Sequence, residues 1–151
     1  MLKTATKLFL AAALVATSAL AQTNPLSQRL TGNWLVSVTV DGAHEPFTIE
    51  TATYRDDGTY TVISSDHSES NGVGSWGRIG NREFLSTHAQ ILYNEKGTFA
   101  GIAKVIAQIK LGESGDTFTG RFRVEISTAT GEVVAKVTGS ITGKLVVPEP
   151  L

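Results

Sequence analysis

The sequence predicts an all-β fold, a single eight-stranded antiparallel up-and-down β-barrel, and three features of the chain support this. Asn, Asp and Gly recur at short intervals, and these residues tolerate the positive φ angles of hairpin turns. The runs between them are rich in Val, Ile, Thr, Phe and Tyr, and most alternate with period two. Closing sequential strands into a barrel leaves no edge strand with unpaired backbone groups. A β-sandwich is the alternative, although it usually needs longer crossing connections than this chain offers.

Seven turn signals separate the eight predicted strands. The turns lie at residues 41–42, 56–58, 71–72, 80–81, 94–97, 113–116 and 130–131. The strands cover residues 33–40, 46–55, 59–67, 72–79, 83–93, 98–112, 117–128 and 133–146. Pro148 ends the last strand, because proline has no N–H to donate to a sheet ladder.

Residues 1–21 have the pattern of a secretory signal peptide. Lys3 and Lys7 precede an uncharged apolar run at 8–20, and Ala19 and Ala21 supply the small residues that a signal peptidase reads. The run is shorter than the about 20 residues that span a bilayer. We therefore expect cleavage after Ala21 and a secreted or periplasmic protein. The rest divides into a leader at 22–31, a barrel domain at 32–147 and a tail at 148–151.

Composition excludes several function classes. Removing Lys3 and Lys7 from the 13 basic residues leaves 11 against 14 acidic ones, with no basic cluster, so we expect no nucleic-acid partner and no stable membrane anchor. The chain has no cysteine, hence no thiol nucleophile. His44 and His67 do not fall at a familiar metal-ligand spacing, so we expect no metal and no cofactor.

The charged strand at 117–128 shows which face of the barrel is inside. Arg121, Arg123 and Glu125 alternate on one face and would not be buried unpaired, so Phe118 and Phe122 belong to the inner face. A four-residue turn at 113–116 pairs Leu111 with Phe118 and Ala107 with Phe122, and paired residues share a face. The odd-numbered residues of 99–111, Phe99 included, are therefore predicted to point inward.

A second four-residue turn, at 94–97, sets the register between the strand at 98–112 and the strand at 83–93. It pairs Leu92 with Phe99 and His88 with Ala103, which places His88 and Gln90 inside the barrel. The more apolar face of that strand then points outward. A one-residue slip or a bulge would invert this assignment.

The remaining strands are assigned in the same way. The predicted inward residues are Trp34, Val36, Val38, Val40, Ile49, Thr51, Thr53, Tyr60, Val62, Ser64, Ala135, Val137, Gly139, Ile141 and Gly143. Trp76 stays open, because a tight turn at 80–81 would place it outside and a three-residue turn would place it inside.

Small residues recur along the predicted interior: Gly101, Ala103, Ala107, Gly120, Ala135, Gly139 and Gly143. They either make room for aromatic rings across the lumen or leave a cavity with apolar walls and a few polar groups, the usual composition of a ligand pocket. We favour the cavity and expect it to bind a small apolar or amphipathic molecule. The predicted ligand-binding residues are Trp34, Tyr60, Phe84, Ser86, His88, Gln90, Val105 and Phe122.

Two alternatives use the same barrel differently. In the first, the chain is a cofactor-free isomerase or cyclase in which His88 is the general acid/base, since a histidine pKa lies near neutrality, and Gln90 and Tyr60 polarise a carbonyl. In the second, it is a structural or interaction barrel that acts through its outer wall. Clustered apolar residues there predict a homo-oligomer interface formed by Leu85, Ile91, Tyr93, Ile102 and Ile106.

Gly32 and Trp34, in the stretch 30–38, resemble the Gly-x-Trp that opens lipocalins and related calycins. The resemblance implies a ligand-holding barrel whose base Trp34 closes. The Gly-rich strands and short connections are also similar to allene oxide cyclase and dirigent barrels, which implies a cavity and oligomerisation through the barrel wall.

Overall fold

Eight antiparallel strands follow one another around a closed barrel in the computed structural model, which describes residues 29–150. The strands are β1 (Gly32–Val40), β2 (Thr48–Tyr54), β3 (Thr59–Ser64), β4 (Gly72–Gly80), β5 (Glu83–Tyr93), β6 (Phe99–Leu111), β7 (Thr117–Ser127) and β8 (Val133–Leu145). Each pairs with the next, and β8 returns to β1. The predicted all-β up-and-down barrel is confirmed, and the β-sandwich alternative is wrong.

One end of the barrel is packed shut. Trp34 is fully buried, its ring lies 4.9 Å from that of Phe118, and its Nε1 donates a 2.8 Å hydrogen bond to the carbonyl of Leu30. Leu30 precedes β1 and is itself fully buried, so the end of the predicted leader helps to close the barrel. Residues 22–28 and the predicted signal peptide at 1–21 lie outside the described residues.

The turn between β6 and β7 confirms the register on which the inner-face assignment depends. Leu111 pairs with Phe118 and Ala107 with Phe122, as a four-residue turn at 113–116 predicts. Both phenylalanines are buried, whereas Arg121 is exposed. The unfavourable burial of charge therefore correctly orients β6 and β7.

The turn between β5 and β6 differs from the expectation, although His88 keeps its predicted face. Tyr93 pairs with Phe99 and Leu92 with Gly101, which leaves Ala100 as an extra residue, a β-bulge. His88 consequently pairs with Val105 rather than Ala103. A shift of two residues preserves the face, because side chains alternate with period two. The inward prediction for Phe99 is wrong, since the bulge turns it outward and leaves it 47% exposed.

A second bulge decides the orientation of Trp76. Gly80 pairs with Glu83, as in a tight turn. Arg78 pairs with Phe84, so Ile79 is an extra residue without a partner in β5. The extra residue reverses the alternation, so Trp76 turns inward despite the tight turn and packs against the core.

The inner face of β2 is the reverse of the one predicted. Tyr54 pairs with Tyr60, whereas the predicted inward residues place Thr53 opposite Tyr60, so the register differs by one residue. Because a one-residue slip exchanges the faces, Ile49, Thr51 and Thr53 do not line the interior. The residues that do so are Thr48, Glu50, Ala52 and Tyr54.

Candidate functional site

A cavity of about 430 Å³ occupies the half of the barrel away from Trp34. Its lining extends from Tyr54 and Tyr60 to Val40 and Phe47. Six of the eight predicted ligand-binding residues line it: Tyr60, Ser86, His88, Gln90, Val105 and Phe122. Trp34 and Phe84 do not, because both belong to the packed end.

The cavity has two chemically different walls. Strands β1, β6, β7 and β8 form an apolar wall that consists of Val36, Val38, Val40, Ala103, Val105, Ala107, Phe122, Val124, Ile126, Val137 and Ile141. The opposite side, from β2, β3, β5 and the segment between β3 and β4, carries the polar groups. These are Thr48, Glu50, Tyr54, Tyr60, Glu69, Ser86, His88 and Gln90. A bound molecule would therefore meet apolar surface on one side and hydrogen-bonding groups on the other.

A chain of hydrogen bonds orders the polar wall. The Tyr60 hydroxyl lies 2.6 Å from His88 Nδ1, and His88 Nε2 lies 3.0 Å from Gln90 Oε1. An amide oxygen only accepts, so the Nε2–H donates to Gln90 and the Tyr60 hydroxyl donates to Nδ1. Both ring nitrogens of His88 are thereby occupied within the protein.

His88 is held in its neutral form. Burial lowers its pKa to about 4, although the hydrogen bond with Gln90 acts in the opposite direction. The expectation that His88 titrates near neutrality is therefore wrong. The cause is its position deep in the barrel, where the charged imidazolium loses its hydration.

Two glycines of β4 make room for this hydrogen-bonded chain. A Cβ atom at Gly72 would lie 2.7 Å from His88 Cδ2 and 3.2 Å from Gln90 Oε1. Gly74 pairs directly with His88, and a Cβ there would lie 2.7 Å from the His88 Cα. The Gly-Val-Gly stretch at 72–74 is the sequence signal for a closely approaching side chain.

Stacked aromatic rings form the floor of the cavity. Tyr54 and Tyr60 stack with centroids 4.8 Å apart, and Trp76 meets Tyr54 edge-on at 5.9 Å. The Trp76 Nε1 donates to the Arg55 carbonyl at 3.0 Å, which fixes the indole. Burial raises the pKa of both tyrosines, so both keep their hydroxyl protons. Tyr54 was missed because the predicted face of β2 was wrong.

Two glutamates add carboxyl groups that sequence reasoning also missed. Burial, together with the neighbouring negative charge of Glu69, raises the pKa of Glu50 to about 7. Burial likewise raises the pKa of Glu69. Among the side-chain nitrogen and oxygen atoms described, Glu69 Oε2 is the buried one that has no hydrogen-bond partner. The predicted inward residues Ile49 and Thr51 imply an outward Glu50, and Glu69 lies between strands, where no alternation applies.

The small interior residues have two different roles. The ring of Phe122 lies 2.5 Å from where a Cβ of Gly139 would be, and the ring of Phe118 crowds Gly143 in the same way. These glycines make room for aromatic rings. Ala103 and Ala107 instead line the cavity. Both interpretations of the small residues therefore apply: glycines accommodate aromatic rings, and alanines leave space in the cavity.

The five residues of the predicted oligomer interface face outward. Leu85 and Ile91 are each 42% exposed, whereas Tyr93, Ile102 and Ile106 are half-buried on the outer wall. Ile91 pairs with Ile102, so these side chains are neighbours across β5 and β6. The structure brings them together on one surface.

Within residues 29–150, no group of three or more His, Cys, Asp or Glu side chains is arranged to hold a metal ion. The same part of the chain contains no helix long and apolar enough to cross a membrane.

No protein-family model matches this chain, and no significant match was found among curated proteins. The resemblance at Gly32 and Trp34 is supported at the level of architecture, an eight-stranded antiparallel barrel with Trp34 at its closed end.

Proposed function

We propose that the chain is an exported β-barrel that binds a small, largely apolar molecule in its lumen. The observation that carries this proposal is the cavity of about 430 Å³, which lies within the range of small-molecule sites. Its apolar wall supplies affinity, because each Å² of apolar surface removed from water contributes roughly 25 cal/mol. Its polar wall supplies orientation.

The polar wall is arranged before any ligand binds. Tyr60, His88 and Gln90 hold one another through two hydrogen bonds, and the backbone of Gly72 and Gly74 lies close beside His88. A preorganised wall loses little conformational entropy on binding, which favours affinity.

Filling the cavity tests the proposal. Ala103 lies on the inner face and Ala89 on the outer face of the same strand pair, so Ala103→Phe and Ala89→Phe add the same ring on opposite sides of the wall. We expect N-phenyl-1-naphthylamine to gain fluorescence with the unaltered chain and with Ala89→Phe, and to lose most of that gain with Ala103→Phe. Equal fluorescence with all three chains would contradict binding in the lumen. Native mass spectrometry of the purified protein would additionally detect a retained ligand.

Two parts of this proposal rest on the sequence alone. Export depends on the signal pattern at 1–21, and the lipocalin-like family assignment depends on Gly32 and Trp34. Detection of a mature chain that begins at Gln22 in the extracellular or periplasmic fraction would support the first. A lipocalin-like role also requires lumen binding, which the fluorescence experiment measures.

The catalytic alternative stays a prediction, and the geometry favours it less. His88 uses Nδ1 for Tyr60 and Nε2 for Gln90, so a substrate would have to displace one of them. A pKa of about 4 also makes the neutral ring a weak base. Turnover of a carbonyl substrate that is lost in His88→Ala, with ligand binding retained, would establish this alternative.

The interaction alternative also stays a prediction, and the apolar neighbours Ile91 and Ile102 favour it. If copies of the barrel associate through this wall, Ile91→Lys together with Ile102→Lys will lower the molecular mass measured by light scattering after gel filtration. An unchanged mass would contradict the interface.

A further inference from the structure

The two glutamates of the cavity face no basic side chain. The described residues that line the cavity include Glu50 and Glu69 but neither Lys nor Arg. The other titratable side chains of the lining are Tyr54, Tyr60 and His88, which keep their neutral forms near neutral pH. Each ionised carboxylate therefore adds negative charge to a largely apolar space without a counter-charge from the protein.

The backbone holds both glutamates in defined positions. Glu50 lies within β2, where it pairs with Val36 on one side and Ser64 on the other. Glu69 lies outside the strands, but an isolated bridge to Leu92 ties it to β5. The orientation of the two carboxyl groups toward the lumen thus does not depend on a freely moving loop.

One carboxylate oxygen is left ready for a donor. Glu69 Oε2 is buried and makes no hydrogen bond in the described chain. A buried acceptor without a partner is unfavourable, so a native protein rarely keeps one without a reason. Ser64 and Gln90 hydrogen-bond to the Glu69 carboxyl group, and because Oε2 has no partner, these bonds leave that oxygen to an incoming group.

We propose that the cavity selects molecules that join an apolar body to a protonated amine, with Glu50 and Glu69 holding the ammonium group and the apolar wall holding the body. This inference rests on the proposed lumen binding and specifies its ligand class. An ammonium group has three donors and no acceptor, which matches carboxylates that only accept. It also supplies the missing positive charge. A hydroxyl group could satisfy one oxygen but would leave the charge unbalanced, and a carboxylate would add repulsion.

A matched series of ligands tests the inference. Decylamine, decanol and decanoate share one apolar chain and differ in the head group, and titration calorimetry at pH 8 below their micellar concentrations compares their affinities. We expect decylamine to bind at least about tenfold more tightly than decanol, as a charge-assisted hydrogen bond implies. Decanoate should bind most weakly.

The variants isolate the two carboxyl groups. In the double variant Glu50→Gln with Glu69→Gln, the shape of the cavity is kept and the preference for decylamine over decanol should fall to within about twofold. Glu95 is exposed on the turn between β5 and β6, so Glu95→Gln removes the same charge outside the cavity and should keep the preference. Loss of the preference in Glu95→Gln as well would assign it to overall charge and overturn the inference.

The outcomes separate the inference from the function on which it rests. If decanol and decylamine bind the unaltered chain equally, the amine inference is overturned while lumen binding stands. If none of the three compounds binds and N-phenyl-1-naphthylamine also fails, the proposed function is overturned, and the inference with it.

Discussion

The two ends of the barrel use similar residues to opposite effect. At the closed end, Trp34, Phe84 and Phe118 are fully or almost fully buried. Gly143 lies against the Phe118 ring, where a Cβ atom would clash. At the other end, called the open end below, valines and alanines from several strands surround about 430 Å³ of space. Small residues therefore make room for the Phe118 ring at the closed end, whereas Ala103 and Ala107 leave space for the cavity.

The ends also differ in where polar groups are buried. At the closed end, the N–H of the Trp34 indole donates a hydrogen bond to the carbonyl of Leu30. None of the large, fully buried side chains described there is titratable. The open end buries Glu50, Glu69 and His88. We infer that packing at the closed end stabilises the fold independently of pH. At the open end, the buried titratable groups lower the stability but form the polar wall of the cavity.

The largest expected effect comes from the closed end. Trp34→Ala should lower the free energy of unfolding by about 3–5 kcal/mol, because a fully buried indole leaves a large void. Val38→Ala in the half-buried wall of the cavity should cost about 1 kcal/mol, since less apolar surface is lost there. Urea denaturation of both variants measures the contrast. Equal losses would break the distinction between the two ends.

Glu50 should make the stability of the open end depend on pH. Its pKa rises from 4.5 to about 7 on folding, so its contribution is fully present below pH 4.5 and is lost as the pH rises through 7. The shift corresponds to about 3 kcal/mol. Glu50→Gln should therefore be more stable than the unaltered chain at pH 8 and closer to it at pH 4.5. Denaturation of Glu95→Gln under both conditions is the control, and it should show no such difference.

His88 should act in the opposite direction. Its pKa falls from 6.5 to about 4 on folding, so its contribution is present above pH 6.5 and is lost as the pH falls through 4. This is also about 3 kcal/mol, and between pH 4.5 and 6.5 it offsets the change due to Glu50. His88→Gln should remove the loss at acid pH, whereas the exposed His67→Gln should not. Parallel pH profiles for the two variants would contradict a buried neutral His88.

Tyr60→Phe should have an intermediate effect. It removes the donor to His88 Nδ1 and leaves a buried acceptor unpaired, at a cost of about 1–3 kcal/mol. Tyr93→Phe makes the same chemical change on the outer wall and should cost less. Thermal unfolding at neutral pH ranks the two, and a larger loss for Tyr93→Phe would show that the hydrogen-bonded chain adds little to the open end.

The smallest effect should come from the outer surface. Arg121 donates to both carboxylate oxygens of Asp41 at 2.9 and 2.7 Å, and Thr138 donates to one of them at 2.7 Å. The pair is exposed and therefore screened by water and salt. Asp41→Asn should shift the unfolding midpoint less than any substitution above, and high salt should reduce the shift further. A shift as large as that of Tyr60→Phe would mean that the outer surface holds the open end together.

Much of the architecture follows from the sequence. Turn residues separate the strands, alternation marks them, and the charged face at Arg121, Arg123 and Glu125 orients the interior of β6 and β7. His88 and Gln90 could be placed inside by counting from that face. The rest of the site could not be predicted in this way. The inward orientation of Glu50 and Tyr54 depends on the register of β2, and Glu69 lies between strands.

By itself, the sequence determined the number of strands, their order and the inner face of β7, because hydrophobic alternation and the unfavourable burial of charge act locally. Pairing across the turns then extended that face to β5, β8 and, apart from Phe99, β6. Only the tertiary structure decided the orientation of Trp76 and Phe99, the inner face of β2 and the meeting of Glu50 with Glu69. Each extra residue in a pair of strands exchanges inside and outside. Where that residue falls, at Ile79 and at Ala100, depends on how neighbouring strands pair around the closed barrel.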